Sequence, residues 1–487
     1  MHDEQKWVWT DDEIRRVGQR VVDIISDYFT GLSDQPVFRP CPDELIADFA
    51  NRQLPQAGQD VDALLDEFCQ DVLAHPFGNG HPRFFGWVNS PPAIIGVFAD
   101  ALAAAMNPSV AGGNHAAVYV EHQVIRWVKE MLGFPEDGSM GLLVSGSSMA
   151  SLTGLSVARH VKLPGVRQTG MQDRPQRAIA YLSAEGHTCL RKALEVLGFG
   201  SDNIRQIAVD DRLRMRVDAL DQAINQDRQL GHVPVVVAAS AGTAGTGAID
   251  PLHEIRDLCK RHSVWFHVDA AYGGPAILSD RYRDELSPLR DADSVALDLH
   301  KWMSVPVEAG LALVRNGTAM RDAFSLVPPY IRTDGNAVGV MGLPWFSEYG
   351  FQQTRGFRAL KAWMCLKYFG VDGYAGLVEH DLDLAQRLSD RVRSSDMLEL
   401  ALEPSLSIVC FRSVPAGLSA NASALDAFNK RLLEAVQLGG AAFLSSTTIR
   451  GEFWLRACVI NHRTQATDID ALVEVIEQTA LQLAAQA

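Results

Sequence analysis

The sequence predicts an α/β protein: a mostly parallel central sheet, preceded by a helical N-terminal arm and followed by a small α+β domain. Three observations predict this. Between residues 81 and 375, short apolar runs alternate with amphipathic stretches, the pattern of strands covered on both faces by helices. Residues 1–80 carry apolar positions at helical spacing. From residue 376 to 487, amphipathic stretches surround two strand-like runs. A chain of 487 residues exceeds one ordinary core and suits a large domain with satellites.

In the arm, Ile14, Val17, Val21, Ile24 and Ile25 recur on one helical face, followed by the bend QPVFRPCP. A second helix is expected at Val61–Leu73. One-sided helices joined by extended loops need a surface to cover, so this arm is expected to pack on another subunit. In the middle region the apolar runs are Gly141–Val144, Ala178–Leu182, Val233–Ala239, Val264–Val268, Ser294–Leu299 and Gly310–Val314. Helices are expected between them at Ser148–His160, His187–Leu197 and Leu252–His262. The last region predicts helices at Asp381–Ser394, Ser423–Val436 and Asp468–Ala484 around strands Leu406–Phe411 and Phe453–Val459.

Charge and composition exclude several classes. A net charge of −15 with no lysine or arginine block argues against nucleic acid or an anionic membrane as partner. The most apolar stretch, Ala93–Met106, is too short to span a bilayer and contains Asp100. The start, MHDEQKWVWTDDEIRR, lacks the basic-then-apolar pattern of a secretory signal. Seven scattered cysteines form no CxxC pair, so neither a zinc site nor a disulfide framework is expected, and a reducing cytoplasm is the simplest location. Asn114–His115, Glu121–His122 and His300 fit no zinc spacing, and no metal is expected.

Ligands of parallel sheets sit beyond the carboxyl ends of the strands, so the residues that follow each strand are where chemistry is sought. The strand Val264–Val268 runs into Asp269, then small residues and glycines. Alone, such an aspartate is more simply a helix cap. Ser294–Leu299 runs into His300–Lys301–Trp302. A lysine ending a buried strand either reaches out to solvent or is used covalently, because its charge is costly to bury. The pair is more specific. Pyridoxal phosphate (PLP) needs a Schiff-base lysine and an acid that keeps its pyridine nitrogen protonated, and Lys301 and Asp269 follow two strands one helix apart. The turn Ser145–Gly146–Ser147–Ser148, between a strand and a helix, offers free N–H groups to a phosphate. It lacks the G-x-S-x-G spacing of a hydrolase nucleophile. His187, after the strand Ala178–Leu182, can stack on a flat ring and trade protons beside it.

HPRFFGW (81–87), the serine turn 145–148, EGHT (185–188), GTAGTGAIDP (242–251), HVDAAYGG (267–274), DLHKW (298–302) and FRALKAW (357–363) follow one another along most of the chain. In this order they resemble the group II PLP-dependent amino-acid decarboxylases, the aromatic-L-amino-acid decarboxylase family. The resemblance implies the aspartate-aminotransferase-like fold (fold type I) and a homodimer with its active site at the subunit interface. It assigns Lys301 to the cofactor's aldehyde, Asp269 to the pyridine nitrogen and His187 to the ring face. Ser147 and Ser148 fall to the phosphate, and Thr243, Asp298 and His300 to the same site. Two departures stand out. The family often has Asn at Asp298, where a second anion beside the phosphate repels it, and Ala244 replaces a threonine.

Tyr330, in LVPPYIR, matches the tyrosine of the family's mobile loop, which returns a proton to the substrate's α-carbon. The glycine-rich TDGNAVGVMG that follows suits a lid. A phenylalanine there accompanies relatives that oxidise the amine to an aldehyde, so Tyr330 and His187 favour simple decarboxylation. The substrate wall implied by the resemblance comprises Trp87, Val88 and Ser90, the segment Asn107–Ala111, and Val307. Trp87 suits stacking on an aromatic side chain, and Arg83 is the one candidate for a side-chain carboxylate. The expected reaction is decarboxylation of an L-amino acid of tryptophan, tyrosine, DOPA or phenylalanine type. The alternatives are an aldehyde synthase, a decarboxylase of a non-aromatic amino acid, or a non-catalytic protein on the same fold.

Overall fold

The computed structural model describes residues 7–172, 174–326, 342–415 and 422–486. Its central sheet has seven strands, β1 (Met140–Val144), β2 (Ala178–Ser183), β3 (Ile204–Ile207), β4 (Val233–Ser240), β5 (Trp265–Asp269), β6 (Ser294–Asp298) and β7 (Gly310–Val314). They lie in the order β1-β7-β6-β5-β4-β2-β3. β7 runs antiparallel to both β1 and β6, while β6, β5, β4, β2 and β3 pair parallel. β1, β2, β4, β5 and β6 therefore end at one sheet edge.

The six apolar runs each became a strand within a residue or two of its expected ends. Every residue of β2, β5, β6 and β7 is buried, as strands covered on both faces must be. β3, Ile-Arg-Gln-Ile, was not expected: as a half-exposed edge strand it has no apolar run to announce it. The helices Ser147–Lys162, Thr188–Val196 and Leu252–His262 agree with the predicted spans.

A second, four-stranded antiparallel sheet holds β8 (Leu398–Leu400), β9 (Ile408–Ser413), β10 (Ser445–Ile449) and β11 (Glu452–Cys458), in the order β10-β11-β9-β8. β8 and the polar β10, Ser-Ser-Thr-Thr-Ile, had no sequence signal. The helices Ala422–Leu438 and Ala466–Ala485 pack on this sheet around Phe411, Phe428, Leu432, Leu455 and Ile469. The helix Ala359–Arg393 crosses residue 376, and its backbone leaves the helix at Gly370, where φ of 68° suits a residue without Cβ.

The motif HPRFFGW docks on the second sheet. Phe85 is buried in the core of the second sheet, its N–H donates to Phe443 O at 2.7 Å and its carbonyl accepts from Cys458 N at 3.0 Å. Phe84 stacks on Phe443 with centroids 5.1 Å apart. Burying each ring contributes roughly 2–3 kcal/mol.

The N-terminal arm comprises helices Asp11–Gly31, Asp43–Asn51 and Val61–Glu67, the last continuing as a wider turn over Phe68–Leu73. Thr10 and Glu13 form a capping box at its start. Arg16 and Arg20 hold Asp62, and Arg52 holds Glu67. Within one chain Ile14, Ile46, Leu64 and Phe68 are left exposed. Among the described residues no helix is long and apolar enough to cross a membrane.

Candidate active site

The shared strand edge brings the predicted residues together. β5 ends at Asp269 and β6 at Asp298, and Asp269 stands in register with Ser240 of β4 and Ala296 of β6. Lys301 closes the turn after β6, its Nζ 3.0 Å from Asp298 Oδ2. Burial works against the Lys301 charge, but Asp298 and Asp269 outweigh it and hold the amine above its ordinary pKa. Burial pushes the Asp269 carboxyl up, opposed by Lys301 and by the Ala271 N–H, which donates to Oδ1 at 3.1 Å. The result is a charged amine between two buried carboxyl groups.

His300 is oriented rather than free: its Nδ1 accepts the Ala309 N–H at 3.1 Å, and burial lowers its pKa. Asp298 Oδ1 lies 3.8 Å from that nitrogen, beyond hydrogen-bond reach. Oδ1 is buried and has no hydrogen-bond partner among the described residues. Ser90, expected at the substrate wall, is buried and donates its hydroxyl to the carbonyls of Lys301 and His300. It fixes the backbone that carries the lysine.

The serine turn stands beside this group. Gly146 caps the helix Ser147–Lys162 without any side-chain hydrogen bond, leaving the helix N-terminus available to an anion. Ser147 is buried at the first helical position, and Ser148 is exposed next to it. A Cβ on Gly146 would lie 3.7 Å from His300 Cε1 and 3.8 Å from Asp298 Oδ1. One on Gly310 of β7 would come within 2.4 Å of the Gly146 backbone, so the turn is seated by glycine against glycine. His187 caps the helix Thr188–Val196, its Nδ1 accepting the Cys189 N–H at 3.2 Å, and its ring remains exposed near Asp269. Thr243 is buried, and its hydroxyl bonds Thr246 Oγ1 and the Ala248 N–H within its own loop, both at 3.2 Å.

Trp87 is half exposed, in a left-handed backbone conformation (φ 47°), and stacks on Phe77 at 5.3 Å. Val88 is buried. Arg83 pairs by its backbone with Phe443 and sits half-buried beside His81. Asn107 and Pro108 meet Val307 in a separate hollow lined also by Glu308, Arg358 and Lys361, with no member of the Lys301 cluster in it. Val307 is 72% exposed within one chain. Tyr330 lies outside the described residues.

Two supports had no sequence signal. Arg355, fully buried, forks onto Glu121 and also donates to the carbonyls of Val110 and Leu143, both at 2.7 Å, while Glu121 accepts the Leu143 N–H at 3.1 Å. This pair ties β1, which leads to the serine turn, to the segment 107–111. It also occupies the Glu121 carboxylate weighed above as a metal ligand. Asp381 accepts the Trp302 Nε1–H at 2.8 Å, anchoring the residue after Lys301.

The residues fit a phosphate-bearing aldehyde cofactor: an amine, a buried acid for a ring nitrogen, and a helix N-terminus without a side-chain cap. Comparison with known proteins agrees. The model of the pyridoxal-dependent decarboxylase conserved domain matches residues 42–414. An aromatic-L-amino-acid decarboxylase of Bacillus atrophaeus is 35% identical over 96% of both chains. A phenylacetaldehyde synthase of Arabidopsis thaliana is 27% identical, also over 96% of both. The crystal structure of Oryza sativa TDC with PLP and tryptamine superposes with a TM-score of 0.91 at 25% identity, covering 97% of this chain and 98% of that one. The chain belongs to the pyridoxal-dependent decarboxylase family, as a carboxy-lyase whose cofactor is pyridoxal phosphate.

Proposed function

We propose that this enzyme removes the α-carboxyl group of an aromatic L-amino acid, releasing the amine and carbon dioxide. The observation that carries the reading is the Lys301 amine flanked by Asp298 and Asp269 at the edge that also holds the serine turn. The aromatic class is supported by the names of the relatives and by Trp87 at the expected wall.

When bound, PLP supplies an electron sink for the pair left by the departing carboxyl group. Lys301 would hold the cofactor by its amine and would serve to free the product. Asp269, against the effect of burial held toward its carboxylate form by Lys301 and the Ala271 N–H, would keep a proton on the ring nitrogen. Ser147, Ser148 and the helix N-terminus hold the phosphate, with Asp298 and His300 beside them and Thr243 bracing its loop. His187 covers the ring face, and Tyr330 returns a proton to the substrate's α-carbon. Trp87 and Val88 bound the substrate, Ser90 braces the backbone that carries Lys301, and the exposed apolar faces of the arm suit a homodimer. The unpaired cysteines suit a reducing cytoplasm.

Purified enzyme given a panel of amino acids, with carbon dioxide, amine and hydrogen peroxide measured together, tests this. Amine equal to carbon dioxide is expected, with aromatic substrates preferred. Stoichiometric peroxide would make the protein an aldehyde synthase instead.

A further inference from the structure

Asp298 is 2% exposed, and its two oxygens have different fates. Oδ2 is fixed by Lys301 Nζ at 3.0 Å. Oδ1 faces the serine turn, 3.8 Å from where a Cβ of Gly146 would stand, and has no donor among the described residues. The groups around it supply none. His300 Nδ1 spends its lone pair on the Ala309 N–H and so carries no proton toward Oδ1. Cys189, on the helix after β2, has its thiol engaged with the Ser148 side chain at the turn. Asp269, on β5, adds a second acid rather than a donor.

A phosphate held at the serine turn therefore meets a buried carboxyl oxygen that cannot turn away. Two anions in contact repel, and the repulsion is removed when one proton lies between them. We propose that Asp298 binds the cofactor's phosphate through one shared proton, taken from solvent as the cofactor enters, so that in this chain cofactor capture is coupled to proton uptake. No other bond is made or broken in this step. The inference rests on the reading that the serine turn holds the phosphate.

Proton uptake per bound cofactor is read from calorimetric titrations of the cofactor-free enzyme in two buffers of different ionisation enthalpy. The wild type is expected to take up about one proton more than Asp298→Asn with PLP, and the same number with pyridoxal, which lacks the phosphate. The PLP Kd of the wild type should then rise about tenfold per pH unit above the phosphate's second ionisation near pH 6, relative to the variant. A comparison of PLP with pyridoxal on the wild type gives the same difference without any substitution. Equal uptake in both proteins would overturn the proposal. So would a difference that persists with pyridoxal, which would place the proton on the Lys301 side. Ser148→Ala tests the underlying reading separately: if its preference for PLP over pyridoxal is unchanged, the phosphate does not sit at this turn, whatever Asp298 does.

Discussion

Lys301 is kept charged by its neighbours and must give up that charge to act, so the carboxyl groups beside it tune both its affinity for the cofactor and its reactivity. Lys301→Ala is expected to abolish the long-wavelength absorbance of the bound cofactor and to lower turnover by about 10³-fold or more. Retention of that band would remove Lys301 from its role. Asp269→Asn keeps the shape but cannot hold the ring proton. It should bind PLP and show the band while kcat falls roughly 10²-fold or more, as expected for an interaction needed mainly in the transition state. Ser90 acts one step back, through the carbonyls of Lys301 and His300. Ser90→Ala should lower kcat with little change in substrate KM; a loss confined to KM would mean that Ser90 touches substrate rather than backbone.

At the scale of elements, the strand ends were legible because each is a buried apolar run followed at once by a polar residue: β5 into Asp269, β6 into His300 and Lys301, β1 into the serine turn. What was not legible depends on partners far apart in sequence. Glu121 and Arg355 are separated by 234 positions, and neither lies in a run that marks it as buried. The same holds for Ser90, whose partners lie 210 and 211 positions away. Phe84 and Phe85 sat in a recognisable motif, yet their docking of the second sheet followed only from seeing Phe443 and Cys458. Polar edge strands such as β3 and β10 gave no apolar signal at all. Removing one member of the Glu121–Arg355 pair leaves a buried charge, so Arg355→Met is expected to cost about 3–5 kcal/mol, measured from the denaturant midpoint. If stability falls by less than about 1 kcal/mol, the pair is dispensable to the β1 junction.

Across the whole molecule, buried histidines make stability sensitive to acid. Burial lowers His267 to about 3 and His81 to about 4. The unfolded chain takes up protons on both below about pH 6.5, whereas the folded protein resists. Their contribution is therefore present above pH 6.5 and is lost as pH falls toward 4, by up to about 1.4 kcal/mol per pH unit for each histidine. Thermal midpoints measured over this range should drop steeply, and His267→Asn should flatten the slope by one histidine's share. An unchanged slope would place the acid transition elsewhere.

The hollow formed by Asn107, Pro108 and Val307 stands apart from the lysine of its own chain. Were the protein a homodimer with interface active sites, this hollow would furnish a wall for the neighbour's substrate, and each catalytic unit would be a composite of two polypeptides. Two inactive proteins can then repair one another. A chain lacking Lys301 and a chain whose hollow is blocked by Val307→Trp should each be inactive as homodimers. Unfolded and refolded together, the two should recover roughly a quarter of wild-type turnover, since half the random dimers are mixed and each of these carries one intact site.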